Sequence, residues 1–173
     1  SMKDITVVIP AYRAEKTIEK TLSSINTQTI SKQLEVIISC DDPEDNYQNI
    51  IARFPNLEIK QIRCKKNVGA GLARQRGLDE AKTHWVTFID ADDMFASPFA
   101  LEQLAMAIEK DVIEVQGAFA QVCLTNEGTK FAVRNDVAHP WVFGRLYNID
   151  FLRQSKIISR SEERLSRNAE TDI

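Results

Sequence analysis

The sequence predicts an α/β protein with a doubly wound, mostly parallel sheet and a small β-hairpin region after its last acidic loop. Residues 5–10 form a continuous apolar run that ends in proline, which predicts a strand buried on both faces. Ile18, Leu22 and Ile25 follow at helical spacing and predict an amphipathic helix over residues 14–28. The same alternation continues through residue 108, and repeated βαβ units of this kind build parallel sheets.

The later elements of this alternating region are indicated by short apolar runs and by helical spacing. Further strands are predicted at 35–39, 57–62 and 85–89. Helices are predicted around 50–54, from the glycine-bearing loop 67–71 to residue 81, and over 101–108.

The pattern changes after this region. Residues 112–124 are rich in β-forming side chains, and residues 129–133 return after a turn as the partner strand of a hairpin. Residues 136–148 are aromatic and irregular in pattern, and residues 160–173 are polar with little apolar surface to bury. We therefore expect one domain over residues 1–173, cut from a longer protein at its polar end.

Composition excludes several classes of protein. The 173 residues are 43% hydrophobic, enough for one sizeable core, and the net charge of −3 argues against nucleic acid as a partner. Three widely separated cysteines form no CxxC pair, which predicts reduced thiols in a cytosolic compartment rather than a disulfide framework or a zinc site. No apolar run is long enough to cross a bilayer.

Three carboxylates lie within four residues directly after the predicted strand 85–89. Parallel sheets bind ligands outside the carboxyl ends of their strands, so Asp90, Asp92 and Asp93 belong where chemistry is expected. Like charges this close repel, so either some stay protonated or a hard divalent cation neutralises them. The alternative is a helix N-terminus that attracts acids, although one aspartate would satisfy that need.

Two other strand ends carry candidate ligand-binding side chains. Asp41 or Asp42 could accept a hydrogen bond from a ribose or a base, or could simply form an Asx-turn or a helix cap. Tyr12 follows the proline that ends the first strand, where it could stack on a base or merely pack.

The loop 67–71 opens a helix with two glycines, which permit close approach of a ligand to the backbone at a terminus that favours anions. Its pattern is neither GxGxxG nor a P-loop. Arg74, one turn into this helix, could reach a diphosphate or remain a solvated charge.

These segments together resemble the inverting family 2 glycosyltransferases of the GT-A type. The matching stretches are residues 7–12 (VVIPAY), 24–29 (SINTQT), 67–78 (NVGAGLARQRGL) and 87–93 (TFIDADD, similar to the DxD element of that family). Arg13 stands where the family commonly has asparagine.

The resemblance implies a nucleotide-sugar site and a metal. Its substrate-binding residues would be Pro10, Ala11, Tyr12, Asp41, Arg74 and Asp90. Asp92 and Asp93 would hold Mn²⁺ or Mg²⁺ on the diphosphate. A carboxylate at Asp41 can accept the N3–H of uracil while Tyr12 covers the ring, so a UDP-sugar is the expected donor.

The tail 167–172 resembles the family segment that carries the catalytic base, with Ala169 and Glu170 in place of Glu-Asp. Glu170 or Asp172 would therefore deprotonate the acceptor hydroxyl. His139, ahead of a segment similar to the family's acceptor side, is either a further ligand or a surface histidine.

The implied activity is metal-assisted transfer of a sugar, with inversion, to a glycan or a lipid-linked acceptor. It would take place in the cytoplasm at the inner face of the membrane, with peripheral association. The alternative is a truncated nucleotide-binding domain without efficient transfer. A receiver domain with Mg²⁺ beside a phosphorylated aspartate is excluded by the helix that runs through residues 69–77 and by the chain length.

Overall fold

A computed structural model describes residues 3–106 in full and, beyond them, the backbone of four strands at 112–116, 120–125, 130–135 and 145–148. The predicted base residues Glu170 and Asp172, His139 and the tail 160–173 lie outside the described residues. Within the described part, no helix is both long enough and apolar enough to cross a membrane.

The first hundred residues form the predicted α/β layers. The parallel strands are β1 (Ile5–Ala11), β2 (Leu34–Cys40), β3 (Glu58–Arg63) and β4 (Trp85–Phe88), in the spatial order β3-β2-β1-β4. The helices are α1 (Ile18–Asn26), α2 (Gln48–Ile51), α3 (Ala70–Glu80) and α4 (Ala100–Met106), with a 3-10 turn at Ser31–Gln33. The predicted doubly wound α/β class is confirmed, and α1 is shorter than predicted because residues 15–17 form turns before it.

The same sheet continues past β4 with antiparallel strands. They are β5 (Val112–Gln116), β6 (Ala120–Thr125), β7 (Lys130–Asn135) and β8 (Arg145–Asn148). Strands β6 and β7 form the predicted hairpin, with Leu124 opposite Lys130. Strand β8 lies between β4 and β5, so the full order is β3-β2-β1-β4-β8-β5-β6-β7. The sequence pattern over 136–148 is irregular and did not predict β8. Strand β8 depends on pairing with β4 and β5, which are both distant in sequence.

The central strand β1 is buried along its whole length, since helices cover both faces of the sheet. Val7 and Ile9 pack on the α1 side, whereas Val8 packs against Leu78 of α3 on the other. Alternate side chains of a strand point to opposite faces, so a continuous apolar run is what two covered faces require. Helix α3 packs closely, because a Cβ on Gly77 would lie 2.4 Å from Val8 Cγ1.

The register aligns the carboxyl ends of the strands that carry the candidate residues. Ala11 is opposite Cys40, and the next backbone amide, that of Asp41, donates to the Ala11 carbonyl at 2.8 Å. On the other side of β1, the Ile89 amide donates to the Val8 carbonyl at 3.1 Å. The loops that follow β1, β2 and β4 therefore leave the sheet at one edge.

Candidate functional site

A cleft of about 380 Å³ opens at this edge. Seven of the residues that line it are candidates from the sequence: Pro10, Ala11, Tyr12, Asp41, Arg74, Asp90 and Asp92. The sequence predicted no role for the other five lining residues, which are Arg13, Ala14, Thr17, Ala70 and Ala91. All six proposed substrate-binding residues thus surround one space, while what they bind remains a prediction.

Asp41 is buried at the base of the cleft and ties two loops together. Its Oδ1 accepts the backbone N–H of Val68 at 2.8 Å, and its Oδ2 accepts that of Gly69 at 2.9 Å. Gly69 has φ +91°, a conformation that favours glycine, and it directly precedes α3. The carboxylate therefore holds the start of α3 against the end of β2.

The structure separates Asp41 from Asp42, which the sequence left as alternatives. Asp42 Oδ1 accepts the Glu44 amide at 2.9 Å, which is the Asx-turn, and its Oδ2 accepts Arg13 Nε at 3.1 Å. These bonds, first from Glu44 and then from Arg13, lower the pKa of Asp42. Asp42 is thus a turn residue, and Asp41 is the one that lines the cleft.

Arg13 lines the cleft, although no pattern in the sequence predicted a role for it there. Its guanidinium carbon lies 5.0 Å from the ring centroid of Tyr12. Tyr12 is 47% exposed. Arg13 has φ +48°, unusual for a residue with a side chain, and its N–H donates to Asp45 Oδ2 at 2.6 Å. The only signal in the sequence was the departure from asparagine, a residue that tolerates this conformation.

A buried tyrosine anchors the same loop from below. The hydroxyl of Tyr47 accepts the Ala14 amide at 3.0 Å and donates to Asp45 Oδ2 at 2.8 Å. Burial is the main reason that the pKa of Tyr47 is raised. Tyr47 and Asp45 thereby join the loop after β1 to the loop after β2, and no local pattern in the sequence indicates this pairing.

Arg74 forms an ion pair across the cleft rather than a solvated charge. Its Nη2 lies 3.0 Å from Asp90 Oδ1, and its side chain is only 12% exposed against 44% for Asp90. The pair joins α3 to the end of the segment after β4, so it fixes one wall of the cleft relative to another.

The acidic loop brings three carboxylates together. One oxygen from each of Asp90, Asp92 and Asp93 lies within 4.8 Å of the others. Burial and then the charges of Asp92 and Asp90 raise the pKa of Asp93. Helix α4 starts only at Ala100, so the acids are not in its first turn, and the helix-terminus interpretation is wrong.

The three carboxylates of the acidic loop are suitable ligands for a hard divalent cation. Mg²⁺ and Mn²⁺ prefer oxygen ligands, and the three carboxylate oxygens lie within 4.8 Å of one another, close enough for small movements to bring them around one ion. Among the described residues, neither Asp92 nor Asp93 accepts a side-chain hydrogen bond or ion pair. Two unneutralised carboxylates beside a third are therefore available as ligands.

Fold and site together define an α/β domain with a cleft at the carboxyl ends of its parallel strands, lined by Asp41, Asp90 and Asp92. Residues 6–162 match the model of Glycosyl transferase family 2, and the chain belongs to that family.

Three similar proteins extend the comparison. The Escherichia coli protein WfgD, a UDP-Glc:alpha-D-GlcNAc-diphosphoundecaprenol beta-1,3-glucosyltransferase, is 27% identical over 66% of this chain and 45% of its own length. Residues 1–349 of S. aureus TarS in complex with UDP align with a TM-score of 0.70 at 21% identity, over 89% of this chain and 49% of that one. The mannosyltransferase PcManGT of Pyrobaculum calidifontis, in complex with GDP-Man and Mn²⁺, aligns with a TM-score of 0.59 at 23% identity, over 67% and 35%. The chain thus spans less than half of each.

Proposed function

We propose that this chain is the donor-binding part of an inverting glycosyltransferase that moves a sugar from a UDP-sugar to an acceptor hydroxyl with the help of a divalent cation. The observation that carries the proposal is a single cleft that combines an exposed aromatic ring, a buried carboxylate and an open acidic cluster. Family membership favours transfer over a domain that only binds nucleotide.

The base and ribose would occupy the side of the cleft formed by β1 and β2. The exposed face of Tyr12 offers a stacking surface, and Pro10 and Ala11 form the wall beside it. Each oxygen of Asp41 accepts one backbone N–H and keeps a second lone pair, which could accept the N3–H of uracil. Further support for uridine comes from the UDP-sugar in the name of WfgD and the UDP bound to TarS.

The diphosphate would lie between Arg74 and the acidic loop. Asp90 is held by Arg74 and would face the ribose side, which leaves Asp92 and Asp93 to bind Mn²⁺ or Mg²⁺. The ion, when bound, neutralises the charge that develops on the leaving diphosphate. The Mn²⁺ in the PcManGT structure supports a divalent cation in this fold.

The acceptor side of the reaction remains a proposal based on the resemblance. A carboxylate, from Glu170 or Asp172, would remove the proton from the acceptor hydroxyl as it attacks the anomeric carbon from the face opposite the diphosphate. One such displacement inverts the configuration. The acceptor would be a glycan or a lipid-linked sugar, and the enzyme would work in the cytoplasm, peripherally bound at the inner face of the membrane.

Calorimetry with UDP, dTDP, CDP and GDP, each with Mn²⁺ and with EDTA, tests the donor assignment. We expect UDP to bind more tightly than the other three nucleotides. It should reach its full affinity only when Mn²⁺ is present. Thymine has the same N3–H and one extra methyl group, and dTDP also lacks the 2′-hydroxyl of UDP, so dTDP should bind about 1–3 kcal/mol more weakly. Tighter binding of GDP than of UDP would overturn the choice of uridine.

A further inference from the structure

Three polar side chains along α1 and the turn that ends it form a stripe that contacts the chain after the acidic cluster. We call Thr21, Ser24 and Gln28 the polar stripe. They are separated by three and four residues, so they share one side of the helical path. Each forms a hydrogen bond with the main chain of segment 93–101.

The first contact of the stripe is with Asp93 itself. Thr21 is buried, and its Oγ1 donates to the main-chain carbonyl of Asp93 at 2.6 Å. Ser24 Oγ accepts the Phe95 amide at 3.1 Å and donates to the Thr21 carbonyl at 2.7 Å. Two successive turns of α1 therefore hold the backbone of Asp93 and of the two residues that follow it.

Gln28 completes the attachment with both ends of its buried amide. Its Nε2 donates to the Ser97 carbonyl at 2.8 Å and to the Ser24 carbonyl at 3.0 Å. Its Oε1 accepts the Leu101 amide in the first turn of α4 at 3.1 Å. No helix or strand lies between the end of β4 at Phe88 and Ala100, so these side chains take the place of a hydrogen-bond ladder there.

The acidic loop needs such an attachment for an electrostatic reason. The carboxylates of Asp90, Asp92 and Asp93 repel one another, and Asp92 and Asp93 have no cationic partner among the described side chains. Repulsion favours conformations of the loop in which the three oxygens separate. A metal ion binds tightly only if its ligands already converge, because the cost of gathering them is subtracted from the binding free energy.

We propose that the polar stripe positions the metal ligands of the donor site, with the Thr21 hydroxyl as its contact to the acidic loop. The stripe holds the main chain at Asp93 so that the acidic carboxylates stay together before the ion arrives. This inference rests on the proposed function, since it concerns the affinity of the same site for its metal.

The test compares Thr21→Val, which removes the hydroxyl at nearly constant shape, with Thr21→Ser, which keeps it. The measurements are the affinity for Mn²⁺ at saturating UDP and the affinity for UDP in EDTA. We expect Thr21→Val to weaken Mn²⁺ binding at least about 10-fold, Thr21→Ser to stay within about threefold of the parent, and UDP binding in EDTA to change little in both.

Thr87→Val is the matched control. Thr87 is also buried, but among the described residues its Oγ1 has no hydrogen-bond partner, so the same substitution breaks no bond. It should leave Mn²⁺ affinity unchanged. Ser24→Ala provides a second variant at a half-buried position should Thr21→Val fold poorly, and it should weaken Mn²⁺ binding in the same direction.

Several results would overturn the inference. Unchanged Mn²⁺ affinity in Thr21→Val or, if that variant does not fold, in Ser24→Ala would do so. An equal loss in Thr21→Val and Thr21→Ser would show that the hydroxyl is not what matters. Equal losses of Mn²⁺ affinity and metal-free UDP affinity would indicate a general structural role. Failure of the parent to bind Mn²⁺ is a different outcome, because it removes the proposed metal site itself.

Discussion

The two sides of the cleft use aspartate in opposite ways. On the side of β1 and β2, the carboxylates of Asp41, Asp42 and Asp45 all accept hydrogen bonds from the protein. On the side of β4, Asp90 is paired with Arg74, but the carboxylates of Asp92 and Asp93 accept no hydrogen bond from the described residues. Both sets follow strands of one parallel sheet, so position in the topology does not explain the difference.

The pKa shifts show the same contrast. The pKa of Asp42 is lowered by the Glu44 amide and the Arg13 guanidinium, whereas that of Asp93 is raised by burial and by its acidic neighbours. A carboxylate whose charge is satisfied within the fold stabilises the fold. One whose charge is unsatisfied costs stability and is available to a cation, which is the trade-off expected at a binding site.

The largest expected effect comes from removing an open carboxylate. Asp92→Ala should abolish the Mn²⁺-dependent gain in UDP affinity and lower the transfer rate on the order of 10³-fold or more, because the metal-bridged diphosphate is lost. Its free energy of unfolding should stay within about 0.5 kcal/mol of the parent's, since Asp92 is exposed. Equal stimulation by Mn²⁺ in variant and parent would show that Asp92 is not a ligand.

Removing a satisfied carboxylate should affect stability instead. Asp41→Ala leaves the amides of Val68 and Gly69 without their charged acceptor, and we expect a loss of about 2–3 kcal/mol in the free energy of unfolding. Urea denaturation measures it, with Asp92→Ala as the control that should unfold like the parent. A stability loss in Asp92→Ala as large as that in Asp41→Ala would remove the distinction between the two sides.

Asp42→Asn should show a smaller effect that depends on pH. A carboxyl group whose pKa is lowered on folding stabilises the fold above its unfolded pKa of about 3.9, and that stability is lost as the pH falls through the folded pKa. The parent should therefore be more stable than the variant at pH 7, and the two should converge in acid. Melting temperatures measured from pH 7 to pH 2.5 test this; a constant difference would contradict it.

Asp93→Asn should give the smallest effect, with the opposite sign. Because folding raises the pKa of the Asp93 carboxyl group, this group contributes most to the stability of the fold at a pH below its pKa in the unfolded chain. The contribution is lost as the pH rises through its pKa in the folded protein. Without metal, the variant should be more stable than the parent at pH 7, by no more than about 0.5 kcal/mol because the group is largely exposed. The gain should vanish near pH 3 in EDTA, and a loss of stability at pH 7 would contradict the proposed repulsion.

Local sequence was sufficient for the layers of the fold and for predicting that the candidate residues meet at one edge of the sheet. The apolar run of β1 and the helical spacing of α1 are one-dimensional signals, and parallel strands necessarily align their carboxyl ends at one edge. The three acids after β4 were conspicuous because a helix terminus would need only one of them. These inferences required no knowledge of which distant residues meet.

The tertiary structure decided everything that depends on pairing between distant residues. Only the fold shows that Asp41 faces the cleft while Asp42 forms a turn, and that Arg13 lies over Tyr12. Strand β8, four residues long, pairs with β4 some sixty positions earlier, and Thr21 bonds to Asp93 across 72 residues. Hydrogen bonds and ion pairs form between whichever groups the packed layers bring within about 3 Å, and a linear pattern carries no record of that distance.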